Sequence, residues 1–124
     1  NALTGTIPAQ LSTMAGMATL QLYRNALTGT IPAQLSTMAG MTRFNLYMNA
    51  LTGTIPAQLS TMAAMMILRL ENNKLLGSIP AEFSVLSAVS SAEFKVFTNT
   101  YLCGTYTATN APADTTGTTL GPAC

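Results

Sequence analysis

The chain has 124 residues, enough for one ordinary domain, and only 7% of them are charged, against about 25% in a typical soluble domain. Five Lys+Arg against four Asp+Glu leave a formal net charge of +1, too small and too scattered for a nucleic-acid footprint, and the 48% of hydrophobic residues argue against disorder over most of the chain. With no His and one Asp, Asp114, the triad, imidazole–metal and most acid–base chemistries lose their participants. The longest apolar stretch, Met62 to Leu68, is far short of the roughly 20 residues that span a bilayer. No secretion signal is visible and the first residue is Asn1, so the chain reads as a mature, processed or truncated piece.

Internal repetition dominates the chain. The segment NALTGTIPAQLSTMA starts at Asn1, again at Asn25 and again at Asn49, at one constant interval. A drifted copy, NKLLGSIPAEFSVLS, starts at Asn73, and the fifth start falls on Phe97, where the pattern dissolves. Within one period, Leu11, Met14 and Met17 recur every third residue, as in a 3₁₀ turn or short helix. Leu20 and Leu22 alternate with Thr19, Gln21 and Tyr23, as in a strand with one buried face. Leu27 to Ile31 reads as a second extended piece with Thr28 and Thr30 outward, closed by Pro32. One such unit cannot bury its own apolar face, whereas three or more stacked units share a continuous core.

The run Ile-Pro-x-x-Leu-x-x-Leu/Met-x-x-Met-x-x-Leu-x-Leu-x-x-Asn-x-Leu-Thr-Gly-x resembles the plant-type extracellular leucine-rich repeat of polygalacturonase-inhibiting proteins and receptor-kinase ectodomains. The resemblance covers residues 1–97 as four repeats, starting at 1, 25, 49 and 73. It extends to 98–124, where Tyr101-Leu102-Cys103-Gly104 and then Cys124 resemble the family's disulfide-closed C-terminal cap. It implies an α/β-type leucine-rich-repeat solenoid, mostly β with short 3₁₀ turns. A parallel sheet would line the concave side, with a second, shorter sheet at the Leu-Thr-Gly-Thr-Ile segments. It also implies a buried ladder of Asn25, Asn49 and Asn73. The residues by themselves leave Cys103 and Cys124 as either a bridge formed in an oxidising compartment or two unrelated thiols. The glycines are backbone positions rather than a phosphate loop, and the eight Met are core filler at Leu positions, with Met48 exposed.

The first three copies are identical over their first fifteen positions and diverge mainly in the strand. The outward columns are expected to be Thr19/Arg43/Ile67/Ser91, Gln21/Asn45/Arg69/Glu93 and Tyr23/Tyr47/Glu71/Lys95, with Arg69 beside Glu93 and Glu71 beside Lys95. Six of the nine charges lie in these segments, and Tyr and Arg are enriched at interfaces. The leading reading is non-catalytic extracellular or cell-surface binding of a protein or glycan through Gln21, Tyr23, Arg43, Asn45, Tyr47, Arg69, Glu71, Glu93 and Lys95. No cofactor or metal is expected.

Two other readings are open. An uncapped first coil and very low charge suit a subunit that stacks head to tail with copies of itself into a fibre or wall layer. Thr4, Thr28 and Thr52, flanked by Thr6, Thr30 and Thr54, form a Thr-x-Thr array of the kind found on ice-binding faces. The tail residues Thr105, Thr107, Thr109, Thr115, Thr116, Thr118 and Thr119 are compatible with O-glycosylation, and no Asn-x-Ser/Thr sequon is present.

Overall fold

The computed structural model describes residues 2–86, 94–96, 98–99 and 101–103. Cys124 and the Thr-rich tail lie outside this set. The Cys103–Cys124 pairing and the O-glycosylation at Thr105 to Thr119 therefore lie outside the described residues.

The described residues form eight short strands: β1 (Thr4–Thr6), β2 (Thr19–Gln21), β3 (Ala26–Thr28), β4 (Arg43–Asn45), β5 (Ile67–Arg69), β6 (Leu76–Ser78), β7 (Phe94–Lys95) and β8 (Tyr101–Cys103). The main sheet is parallel, in the order β2-β4-β5-β7. The second sheet is not continuous. It consists of two parallel pairs, β1-β3 and β6-β8. Between them, coil three is joined to its neighbours by backbone bonds without a strand of its own on this side among the described residues: Ala50 and Thr52 N–H donate to the Leu27 and Gly29 carbonyls, and Lys74 and Leu76 N–H to those of Leu51 and Gly53.

Each return begins at a proline. Pro8, Pro32, Pro56 and Pro80 hold φ between −59° and −69° and open 3₁₀ turns at Ala9–Thr13, Ala33–Thr37, Ala57–Thr61 and Ala81–Val85. Thr13, Thr37 and Thr61 close the first three turns by donating their hydroxyls to the carbonyls of Gln10, Gln34 and Gln58. The threefold apolar spacing then points Leu35, Leu59 and Phe83 inward, all fully buried.

The core is built in columns, one residue per coil. Leu20, Phe44 and Leu68 come from the main sheet, and Leu27, Leu51 and Leu75 from the other side. Met38, Met41, Met62 and Met65 fill Leu positions, as expected. Met48 is exposed at 44%, but so are Met14 at 48% and Met66 at 56%, so not every other Met is core filler. Met66 aligns with Ala18 and Thr42, an outer row rather than a Leu position. Met14 aligns with buried Met38 and Met62 but has no coil stacked over it among the described residues.

The asparagines tie one coil to the next. Asn73 accepts from the Leu51 amide (3.0 Å) and donates to the Leu46 and Leu70 carbonyls (3.0 and 3.1 Å). Asn49 does the same for the Leu27 amide and the Leu22 and Leu46 carbonyls. The next rung is Asn99, not a residue at the position of Phe97. It takes the Leu75 amide and gives to the Leu70 and Val96 carbonyls. Phenylalanine has no amide to do this, so coil four, from Asn73 to Asn99, is two positions longer than the coil from Asn49 to Asn73. The register of β7 follows: Leu68 pairs with Phe94 and Arg69 with Lys95. The residue before each ladder Asn is left-handed: Arg24 at φ 54°, and Met48, Asn72 and Thr98 at 56°.

The ladder sets the expected effect of substitutions within it. Asn73→Ala strands the buried Leu51 N–H, worth about 1–3 kcal/mol when unmet, while the Leu46 and Leu70 carbonyls keep the amides of Asn49 and Asn99, so urea unfolding should show a loss of about 1–3 kcal/mol. Asn25→Ala, in a half-buried rung, should lose well under half as much. Met48→Asn removes a left-handed penalty of about 1–2 kcal/mol per residue at an exposed side chain, so its urea midpoint should rise.

Candidate functional site on the main sheet

The strand alternation sends Leu20, Phe44, Leu46, Leu68 and Leu70 into the core and presents Gln21, Tyr23, Arg43, Asn45, Tyr47, Arg69 and Glu71 on the opposite face. Because β2, β4 and β5 pair at the repeat period, Gln21 pairs with Asn45 and Asn45 with Arg69. Lys95, expected beside Glu71, instead pairs with Arg69, completing the row Gln21–Asn45–Arg69–Lys95. Glu93 lies outside the described residues. The signal for the shift was present in the sequence: Val96-Phe-Thr-Asn99 keeps the Leu-x-x-Asn spacing of Leu46 to Asn49 and Leu70 to Asn73.

Four of the candidate residues form one contiguous assembly. Tyr23 and Tyr47 stack face to face, centroids 4.7 Å apart and planes within 4°. The guanidinium of Arg69 covers the other face of Tyr47, 4.3 Å from the ring centre, as a cation–π contact. Arg69 Nε and Nη2 both donate to Glu71 Oε1, at 3.0 and 2.6 Å.

Two candidates sit deeper than a contact surface requires. Glu71 is buried, with a side chain only 4% exposed against 30% for Arg69. It is therefore not an exposed partner for Lys95: Arg69 holds it from its own strand, two positions away. Glu71 Oε2 and Asn45 Oδ1 are buried with no hydrogen-bond partner among the described residues. At the other end of the row, Leu3, Gln21, Tyr23, Arg24 and Asn25 line an open recess of about 370 Å³. Among the described residues, no group of three or more His, Cys, Asp or Glu could hold a metal, and no helix is long and apolar enough to cross a membrane.

The threonines occupy the second side of the solenoid, all six exposed. They do not stand in the straight columns expected. Thr6 pairs with Thr28 and Thr4 with Ala26, so the array runs obliquely. The Thr28 and Thr52 hydroxyls donate to the Gly5 and Gly29 carbonyls of the preceding coil at 3.3 Å. The methyls of Thr6 and Thr30 rest on Gly29 and Gly53, where an added Cβ would approach to 2.8 Å. Both glycines also hold positive φ, 75° and 77°, so only glycine fits there without strain. The array ends at coil four, where Leu76 and Ser78 replace the two threonines.

Comparison with known proteins agrees with this geometry. A family model described as Leucine Rich Repeat matches residues 65–86. No curated protein matches, whereas 73 chains of solved structures do. Among them is the plant peptide hormone receptor RGFR1 in complex with RGF2, 34% identical over 84% of this chain and 16% of that one, with a TM-score of 0.80. A second is the BIR3–SERK2 complex from Arabidopsis thaliana, 35% identical over 84% of this chain and 53% of that one, TM-score 0.74. A third is a plant ice-binding protein, 30% identical over 83% of this chain and 33% of that one, TM-score 0.77. The chain thus spans between about a sixth and about half of these relatives. With its repeated Gly-x-Ile-Pro motif, stacked parallel strands and asparagine ladder, the chain is a leucine-rich-repeat protein of the plant type.

Proposed function

We propose that this chain is a non-catalytic recognition module, extracellular or at the cell surface, which binds a protein or peptide through the concave main sheet. The observation that carries this reading is the Tyr23–Tyr47–Arg69–Glu71 assembly. Its side chains are held by one another before any partner arrives, so little rotamer freedom remains to be lost on binding, and Tyr and Arg are the residue types that anchor interfaces. The scaffold under them is repetitive while the face above them varies. Relatives of the same fold are described in complex with a peptide hormone and with a protein partner, which supports the same use here. A glycan is the weaker fit at the centre of the sheet. Tyr47 has both ring faces covered, by Tyr23 and by Arg69, and so offers no open platform for a sugar ring.

The test is selection of a displayed peptide library on the immobilised chain. Selected binders should weaken at least tenfold against Tyr23→Ala/Tyr47→Ala/Arg69→Ala and stay within twofold against Thr30→Tyr. Binders that ignore the triple substitution and are lost with Thr30→Tyr would overturn the reading. Tyr47→Ala alone, which leaves the Arg69–Glu71 pair in place, separates loss of the face from loss of folding.

A second reading is supported by the threonine array and by the structural likeness to a plant ice-binding protein. Hydroxyls tied to glycine carbonyls and methyls seated on glycines fix the rotamers of an exposed Thr face. Such a face can order water in a regular pattern. In this reading the intact chain slows ice recrystallisation at micromolar concentration and Thr30→Tyr abolishes the effect. Unchanged crystal growth with the intact chain would remove it.

A further inference from the structure

From the charge arrangement on the main sheet we infer that the concave site takes an extended acidic peptide segment, with two carboxylates held by Arg43 and Lys95. The inference rests on the reading of this sheet as a recognition surface and specifies the chemistry of its partner. Among the described residues the face carries Arg43, Arg69 and Lys95 against one acid, Glu71. The pairing of that acid is one-sided. Glu71 lies beneath the surface and Arg69 above it, so solvent meets the cationic end of the pair. Arg43 is exposed and Lys95 half-buried, and neither has an ion-pair partner among the described residues. The face therefore presents positive charge that no other described residue neutralises.

Register sets the spacing. Arg43 is on β4 and Lys95 on β7, two strand steps apart, and Lys95 shares the row of Asn45, two positions further along than Arg43. Two steps of about 4.8 Å and two positions of about 3.3 Å place their Cα atoms roughly 12 Å apart. An extended chain covers that in three to four residues at about 3.3 Å each. The segment would cross the strands obliquely, over Arg69, with one carboxylate near Arg43 and the other near Lys95. The covered faces of Tyr47 favour a peptide over an acidic sugar chain.

The experiment is fluorescence anisotropy on the intact chain with a fluorescein-labelled, end-blocked Gly/Ser decapeptide carrying two glutamates four positions apart. Gln-for-Glu and Lys-for-Glu versions serve as comparisons. The glutamate peptide should bind at least tenfold more tightly than either. Lys95→Gln should weaken it at least fivefold, and Arg43→Gln/Lys95→Gln at least twentyfold. Lys74→Gln removes the same charge from an exposed site outside the main sheet and should change binding less than twofold. Equal loss at Lys74 and Lys95 would mean general attraction to a cationic protein and would overturn the assignment. So would tighter binding of the lysine peptide, or binding of an oligouronate in place of all three peptides. A neutral or basic peptide that binds and is lost with Tyr47→Ala would overturn the acidic assignment while leaving recognition by the sheet intact.

Discussion

The asparagine amide is a single short group with one acceptor and two donor hydrogens, and this fold uses all of them, the acceptor and one donor on the preceding coil and the other donor on the carbonyl three residues back. An N–H of one coil is accepted, while a carbonyl of that coil and a carbonyl of the next are each given a donor. These are the backbone groups left over where the chain leaves the main sheet and turns, and burying them unpaired would cost more than the fold gains from the turn. Each coil stays flat enough to stack because its corner is closed this way. The left-handed residue before each ladder Asn is the conformational cost of aiming the amide inward. That cost is carried by Arg24, Met48 and Thr98 as well as by the better-suited Asn72.

The ladder also controls the site. Where the asparagines keep the interval from Asn25 to Asn49 to Asn73, strands β2, β4 and β5 pair without slip and identical positions stack. Tyr23 over Tyr47 is the direct consequence. Where the interval lengthens by two positions, at Asn99, β7 moves by the same amount and brings Lys95 beside Arg69. A lysine is thus added to a row that already holds an arginine, and the acid that was to neutralise it is drawn down beneath Arg69 instead. The electrostatic character of the face comes from a hydrogen-bonding requirement at the corner of the same coil.

The two sides of the solenoid divide the work. One carries varied side chains on a rigid parallel sheet. The other repeats Thr-Gly-Thr almost unchanged, with threonine methyls packed on the glycines of the next coil and hydroxyls tied to glycine carbonyls. Repetition on the second side keeps the coils in register, because any larger residue at Gly29 or Gly53 would push a neighbouring coil away. That regularity leaves the main sheet free to vary.

Much of this fold was legible in the sequence because the repeat is nearly perfect. The period, the alternation of Leu with polar residues, the proline at each return and the Asn at each corner each specify local geometry without reference to distant parts of the chain. They determined the solenoid, the inward and outward faces, and most of the core. The remainder depends on how coils sit against one another. The position of Lys95 turns on Asn99, rather than the residue at Phe97, satisfying the Leu70 carbonyl and the Leu75 amide. The burial of Glu71 requires the Arg69 side chain to fold back along its own strand rather than across to the next. The slant of the threonines comes from the pairing of β1 with β3, which sets Thr4 against Ala26 rather than against Thr28. A repeating sequence states its period. The offset between stacked backbones is set by their hydrogen bonds, and only the assembled coils decide it.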